Sequence, residues 1–195
     1  MNTNLRGIKI FDDKEVPHGT LIQISVGTAP GHARVLLRLP GRDKWTDLGD
    51  IPIIDEVLSL PIKSVFLCHA SEDEQAVTQI RERLFDDGHL PWFAPEDLVG
   101  GDAWKERIDA ALEQANHVVV CLSNASIGKA GYFQREVRYA FEQRDLRPNG
   151  ARYIVSLLLE PCTPPREFRD IHWIEYWKED GHERLTKALR LTAES

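Results

Sequence analysis

Residues 122–140, LSNASIGKAGYFQREVRYA, decide how the chain folds. They take over from a strand-like run, HVVVCLS at 117–123, pass through a loop of serines and glycine, and enter a helix that carries an isolated glutamate, Glu136. On a helical wheel Phe133, Val137, Ala140 and Phe141 form the buried arc. Glu136 falls just outside that arc, in line with Tyr132 a turn earlier and Gln143 two turns later. A carboxylate at the edge of a core, beside the C-terminal end of a strand, is well placed to meet a ligand in an open α/β sheet. The alternative is a boundary glutamate that solvates a helix flank.

Working outward, residues after 61 alternate between strands and helices. SVFLC (64–68) is a continuous apolar run, as expected for a strand covered on both faces. Residues 73–87 read as a helix with Ala76, Val77, Ile80 and Leu84 on its apolar face and Gly88 as its stop. LPWFA (90–94) is a second short strand, followed by the loop PEDLVGGD (95–102). Asp102 is suited to N-cap the next helix, on which Trp104, Ile108, Ala111, Leu112 and Ala115 share one face. HVVVCLS, RYIVSLLL (152–159) and IHWIEYW (171–177) supply three more strands, and HERLTKALRL (182–191) closes the pattern as an amphipathic helix. This spacing predicts a doubly wound, parallel five-stranded α/β sheet over residues 61–195 with right-handed crossovers.

Residues 1–60 differ. GIKIF, TLIQISV, ARVLLRL and KWTDL have strand character and are separated by turn residues, which predicts a small antiparallel β-rich region. DIPIIDEVLSLP (50–61) reads as a connector with one short helical turn. No motif assigns this region a role.

Several chemistries are set aside. A net charge of −7 and the lack of long Lys/Arg runs argue against a nucleic-acid partner. No apolar stretch reaches membrane-spanning length and MNTNLRGIKIFDD has no signal-peptide core, so a cytoplasmic protein without a membrane partner is expected. Cys68, Cys121 and Cys162 lack CxxC spacing and read as reduced thiols. There is no GxxxxGK[ST], GxGxxG or GxSxG motif, and the seven histidines show no HxH or HxxxH pairing, so no metal or resident cofactor is expected.

Four segments remain, in order: SVFLCHASEDE, PWFAPEDLVGGDAW, VVVCLSNAS and YFQREV. Together they resemble the Toll/interleukin-1 receptor (TIR) domain, particularly its bacterial NAD-cleaving branch, over about residues 62–190. PEDLVGGDAW resembles the family's mobile BB loop, and LSNASIGKAGYFQREV its LS…S…W…E signature. The resemblance implies a flavodoxin-like fold. It also implies an NAD+ glycohydrolase that releases nicotinamide and leaves ADP-ribose or a cyclic isomer, in bacterial antiphage or stress defence. Glu136 takes the position of the catalytic glutamate. Tyr132 stands where the family usually has tryptophan, a smaller aromatic platform for the substrate. His69, Ala70 and Ser71 match the cleft-lining loop after the first strand, and Asp97 lies in the BB-like loop. The implied partners are NAD+ as substrate, further copies of the TIR domain, and a partner protein of a defence system. Two other readings stay open: a non-enzymatic adaptor acting by homotypic assembly, and an enzyme like the nucleoside 2-deoxyribosyltransferases.

Overall fold

Runs of apolar residues that never alternate with polar ones make strands that must be covered on both faces. In the computed structural model, which describes residues 7–10, 20–54, 57–60, 62–97, 101, 103–128, 132–148 and 151–190, such runs form the second of two sheets. Contacts group the chain into two compact units, Met1–Lys63 with Leu84–Leu90, and Ser64–Arg83 with Pro91–Ser195.

The first unit holds β1 (Gly7–Ile10), β2 (Leu21–Val26), β3 (His32–Arg38), β4 (Thr46–Ile54) and β5 (Val57–Leu60), in the spatial order β1-β5-β4-β3-β2. The pairings from β5 to β2 are antiparallel, but β1 runs parallel to β5, so the unit is mixed rather than purely antiparallel. Ala33, Val35 and Leu37 alternate inward along β3 and meet Ile51, Leu60 and Ile62 in one cluster, with Phe85 and Leu90 packed against it. The connector expected over 50–61 is instead the end of β4 and all of β5. Ile53 and Ile54 pair with Leu58 and Val57 across a two-residue link that lies outside the described residues. That link, Asp55-Glu56, has Asp55 but no Gly, Asn or Pro beside it, so it lacks the dipeptides that mark a tight hairpin in sequence.

The second unit holds β6 (Ser64–Cys68), β7 (Leu90–Trp92, whose first residue groups with the other unit), β8 (His117–Leu122), β9 (Ile154–Leu158) and β10 (Trp173–Glu175), ordered β10-β9-β8-β6-β7. The pairs β6–β8, β8–β9 and β9–β10 are parallel. This is the flavodoxin-like order expected, with α1 (Glu74–Asp86), α2 (Ala94–Asp97), α3 (Trp104–Gln114), α4 (Asn124–Ile127), α5 (Tyr132–Asp145) and α6 (Gly181–Arg190) in the crossovers and at the end. Phe66, Cys68, Val118, Val120 and Leu122 share a cluster with Ile108 and Leu112 of α3 and Phe133, Val137 and Ala140 of α5. The residues between them, Val65, Leu67, Val119 and Cys121, are equally buried, so both faces of the central strands are covered. His117 reaches the carbonyls of Arg152 (2.6 Å) and Leu189 (3.0 Å), which ties the end of α6 to the sheet.

Details of the helices depart from the sequence pattern. α1 is preceded by a 3-10 turn at Ser71–Asp73, and Ala76, placed on its apolar face by spacing, is exposed. Gly88, at φ +84°, ends the helix, with His89 N–H bonded to Leu84 O (2.9 Å). Trp104 is exposed at the start of α3, beneath the Lys105 ammonium, because the first turn extends past the cluster that Ile108 enters. Ala103, not Asp102, occupies the N-cap position of α3 and makes no side-chain bond; Asp102 itself lies outside the described residues. Cys68, Cys121 and Cys162 are free thiols. Among the described residues no helix is long and apolar enough to cross a membrane.

Candidate functional site

In the sheet order, the crossover leaving β6 goes to β7 on one side, while β8 leads to β9 on the other. The chain therefore diverges between β6 and β8, and the crevice beyond the C-terminal ends of those strands is where open α/β sheets take ligands. Cys68 ends β6, Leu122 ends β8, and the loops after them close on each other through the Ser123 hydroxyl, which donates to Asp73 Oδ2 at 2.8 Å. Ser123 also forms a reciprocal capping box with Ser126 that opens α4.

Glu136 enters this crevice from the second turn of α5. It is only 7% exposed, so it lies within the buried face rather than just outside it. The wheel assumed a stripe of ordinary width; α5 is covered more widely because it meets β6, β9 and α3. The Cys68 thiol donates to Glu136 Oε2 at 3.3 Å. Burial, and then the Glu136 charge, push that thiol well above the usual cysteine range, so it stays protonated as a neutral donor.

The next residues continue from the same strand end. His69 stacks on Phe93, ring centroids 4.8 Å apart. Its Nδ1 lies 3.2 Å from Leu67 O, which only accepts, so Nδ1 carries the proton and Nε2 is an acceptor in the neutral ring. Burial pulls the imidazole below the usual histidine range, against weaker opposing pulls from the Leu67 carbonyl and the Glu74 and Asp73 carboxylates. Ala70 is buried and caps the 3-10 turn, and Ser71 is exposed, with its hydroxyl toward Glu72.

Asp97 is less available than the BB-loop resemblance implies. Its carboxylate accepts the Phe93 N–H at 2.5 Å, and so holds the ring against which His69 stacks. The structure thus brings Glu136, His69, Ala70 and Ser71 to one strand end, with Asp97 behind Phe93. Tyr132 is the first residue of α5, and its side chain lies outside the described residues, as do residues 98–100 of the loop. Trp92 packs on Phe66 (4.8 Å) as a core residue. Cys68 and Asp73 carry no local sequence signal for these contacts, because their partners lie 68 and 50 residues away. Among the described residues no group of His, Cys, Asp or Glu could hold a metal ion.

The chain is similar to several solved structures. The TIR domain of the Toll-related receptor TRR-2 from Hydra magnipapillata superposes with a TM-score of 0.55 at 19% identity, covering 65% of this chain and 98% of that one. A prokaryotic SEFIR domain gives 0.49 at 18% identity, covering 68% and 94%. The CMP N-glycosidase BcmB of Clostridium botulinum gives 0.44 at 18%, covering 64% and 99%. No curated protein matches the chain. Residues 65–189 match the family model of the TIR domain, and the chain belongs to that family.

Proposed function

We propose that this TIR domain is an NAD+ glycohydrolase. The reading is carried by the buried Glu136 carboxylate at the strand-end crevice, which accepts a hydrogen bond from the neutral Cys68 thiol. The nicotinamide of NAD+ is a cationic leaving group. It departs with the bonding electron pair as a neutral base, so no general acid is needed. The anomeric carbon is left with oxocarbenium character, and a carboxylate that accepts from the ribose hydroxyls stabilises it. Low polarity around Glu136 strengthens that field. Water then adds to the carbon and loses a proton, giving ADP-ribose; capture by a ring nitrogen of the adenine gives a cyclic isomer instead. In this scheme His69 Nε2 accepts from a substrate hydroxyl, Ala70 and Ser71 form the wall, Tyr132 stacks on a substrate ring, and Asp97 fixes the Phe93 platform. Self-association of the TIR domain, a cytoplasmic setting and a defence-system partner belong to the same proposal.

The test is NAD+ cleavage run beside deoxynucleoside base exchange, for wild type and Glu136→Gln. We expect nicotinamide release by wild type, and a loss of about 10²-fold or more in the variant with the fold intact. Near-wild-type turnover in the variant overturns the site. Base exchange without NAD+ cleavage moves the substrate class, and inactivity in both assays at every protein concentration leaves an adaptor.

A further inference from the structure

The same sheet carries a second cavity, of about 580 Å³, which the proposed chemistry does not use. Ile154 and Val155, the first residues of β9, line it. It therefore opens toward the strand N-termini, whereas Glu136 meets the C-terminal end of β6. Its walls come from the end of α5, the start of β9, β10 with the loop before it, and the later turns of α6.

The charge in this cavity runs against the rest of the molecule. The chain carries a net −7, yet among the described residues the lining has four cations, from Arg144, Arg152, Arg184 and Lys187, against one carboxylate, Asp170. Arg144 is answered by Asp145 at 2.9 Å. Arg184 Nη2 lies 3.4 Å from His172 Nε2, an imidazole and not a carboxylate. Neither Arg152 nor Lys187 has an ion-pair partner among the described residues. Cations that outnumber the counter-charges among them repel one another, and an anion seated there relieves that repulsion. Guanidinium groups match phosphate oxygens in pairs. The floor is apolar, with Ile154 and Ile174 almost fully buried, so a phosphate alone would leave it unfilled. The volume falls within the range of small-molecule pockets.

We propose that this cavity binds a phosphorylated small molecule of mononucleotide size, with the phosphate at Arg152, Arg184 and Lys187 and an apolar ring on the Ile154–Ile174 floor. The assignment does not depend on NAD+ cleavage. It is tested by calorimetric titration of the full chain with adenosine 5′-monophosphate, with inorganic phosphate and adenosine as separate arms. The nucleotide should bind about tenfold or more tightly than either fragment. Arg184→Glu with Lys187→Glu should weaken it by about tenfold or more, and Glu136→Gln should leave it unchanged. Lys187→Glu alone, at an exposed position, serves as the second variant if the pair disturbs folding; it should weaken binding several-fold. The proposal falls if the nucleotide does not bind at about 1 mM or if the charge-reversed variants bind as wild type does. It also falls if Glu136→Gln abolishes binding, which would place the nucleotide in the other crevice, or if phosphate or adenosine binds as tightly as the nucleotide.

Discussion

Cys68 is where the sheet touches Glu136, and its thiol does what an aliphatic side chain of similar size cannot. A buried carboxylate deprived of a donor bears the cost of lost solvation, about 1–3 kcal/mol for a removed partner. Cys68→Val should therefore lower the unfolding free energy by about that much and reduce NAD+ turnover, while Cys68→Ser, which keeps a donor, should lose less of both. Chemical denaturation and steady-state rates measure this; equal behaviour of the two variants would reduce Cys68 to packing. His69 has a pH signature of its own. Its native pKa is lowered by burial, so the folded state binds the proton less readily than the unfolded chain. Stability is whole above the usual histidine value and is lost as pH falls through the lowered native one. His69→Gln should flatten this acid-side loss without altering the denaturation midpoint's pH dependence above neutrality.

At the scale of elements, what could be read in the sequence was what repeats locally. HVVVCL and SVFLC announce themselves as covered strands because every residue after the first is apolar, and both are buried throughout or nearly so. β5 was illegible for the opposite reason: it is only four residues long, and pairing with β4 and the distant β1 is what makes Val57–Leu60 a strand. Glu136 was located on its helix, but its depth depended on how much of α5 the tertiary structure covers. Gly88 shows a local signal and a distant one acting together. Its φ of +84° ends α1, and a Cβ there would come within 3.0 Å of Leu48 Cδ2. Gly88→Ala should cost at least about 1 kcal/mol for the left-handed backbone, with crowding against Leu48 added. Thermal melting checks it, and an unchanged midpoint would show that the turn relaxes to another conformation.

For the whole molecule, the question is whether one chain supplies all that NAD+ requires. Glu136, His69, Ala70, Ser71 and Phe93 offer a carboxylate, an acceptor and a wall, but no cation for the substrate's diphosphate. Arg81, whose guanidinium lies over the Phe93 ring at 5.9 Å, is already paired with Glu82 at 3.4 Å. A second copy packed against the crevice can bring the missing charge and exclude water. The net charge of −7 opposes that approach at low ionic strength, so screening should favour assembly here. We therefore expect a dilute monomer to be weakly active, and specific activity to rise with protein concentration and with a crowding agent. Moderate salt should sharpen that rise rather than suppress it. Initial rates across about a hundredfold range of concentration, read against mass from light scattering, decide the matter. Constant specific activity from a protein that stays monomeric throughout would mean that the single chain is sufficient and that the diphosphate is held by residues of its own.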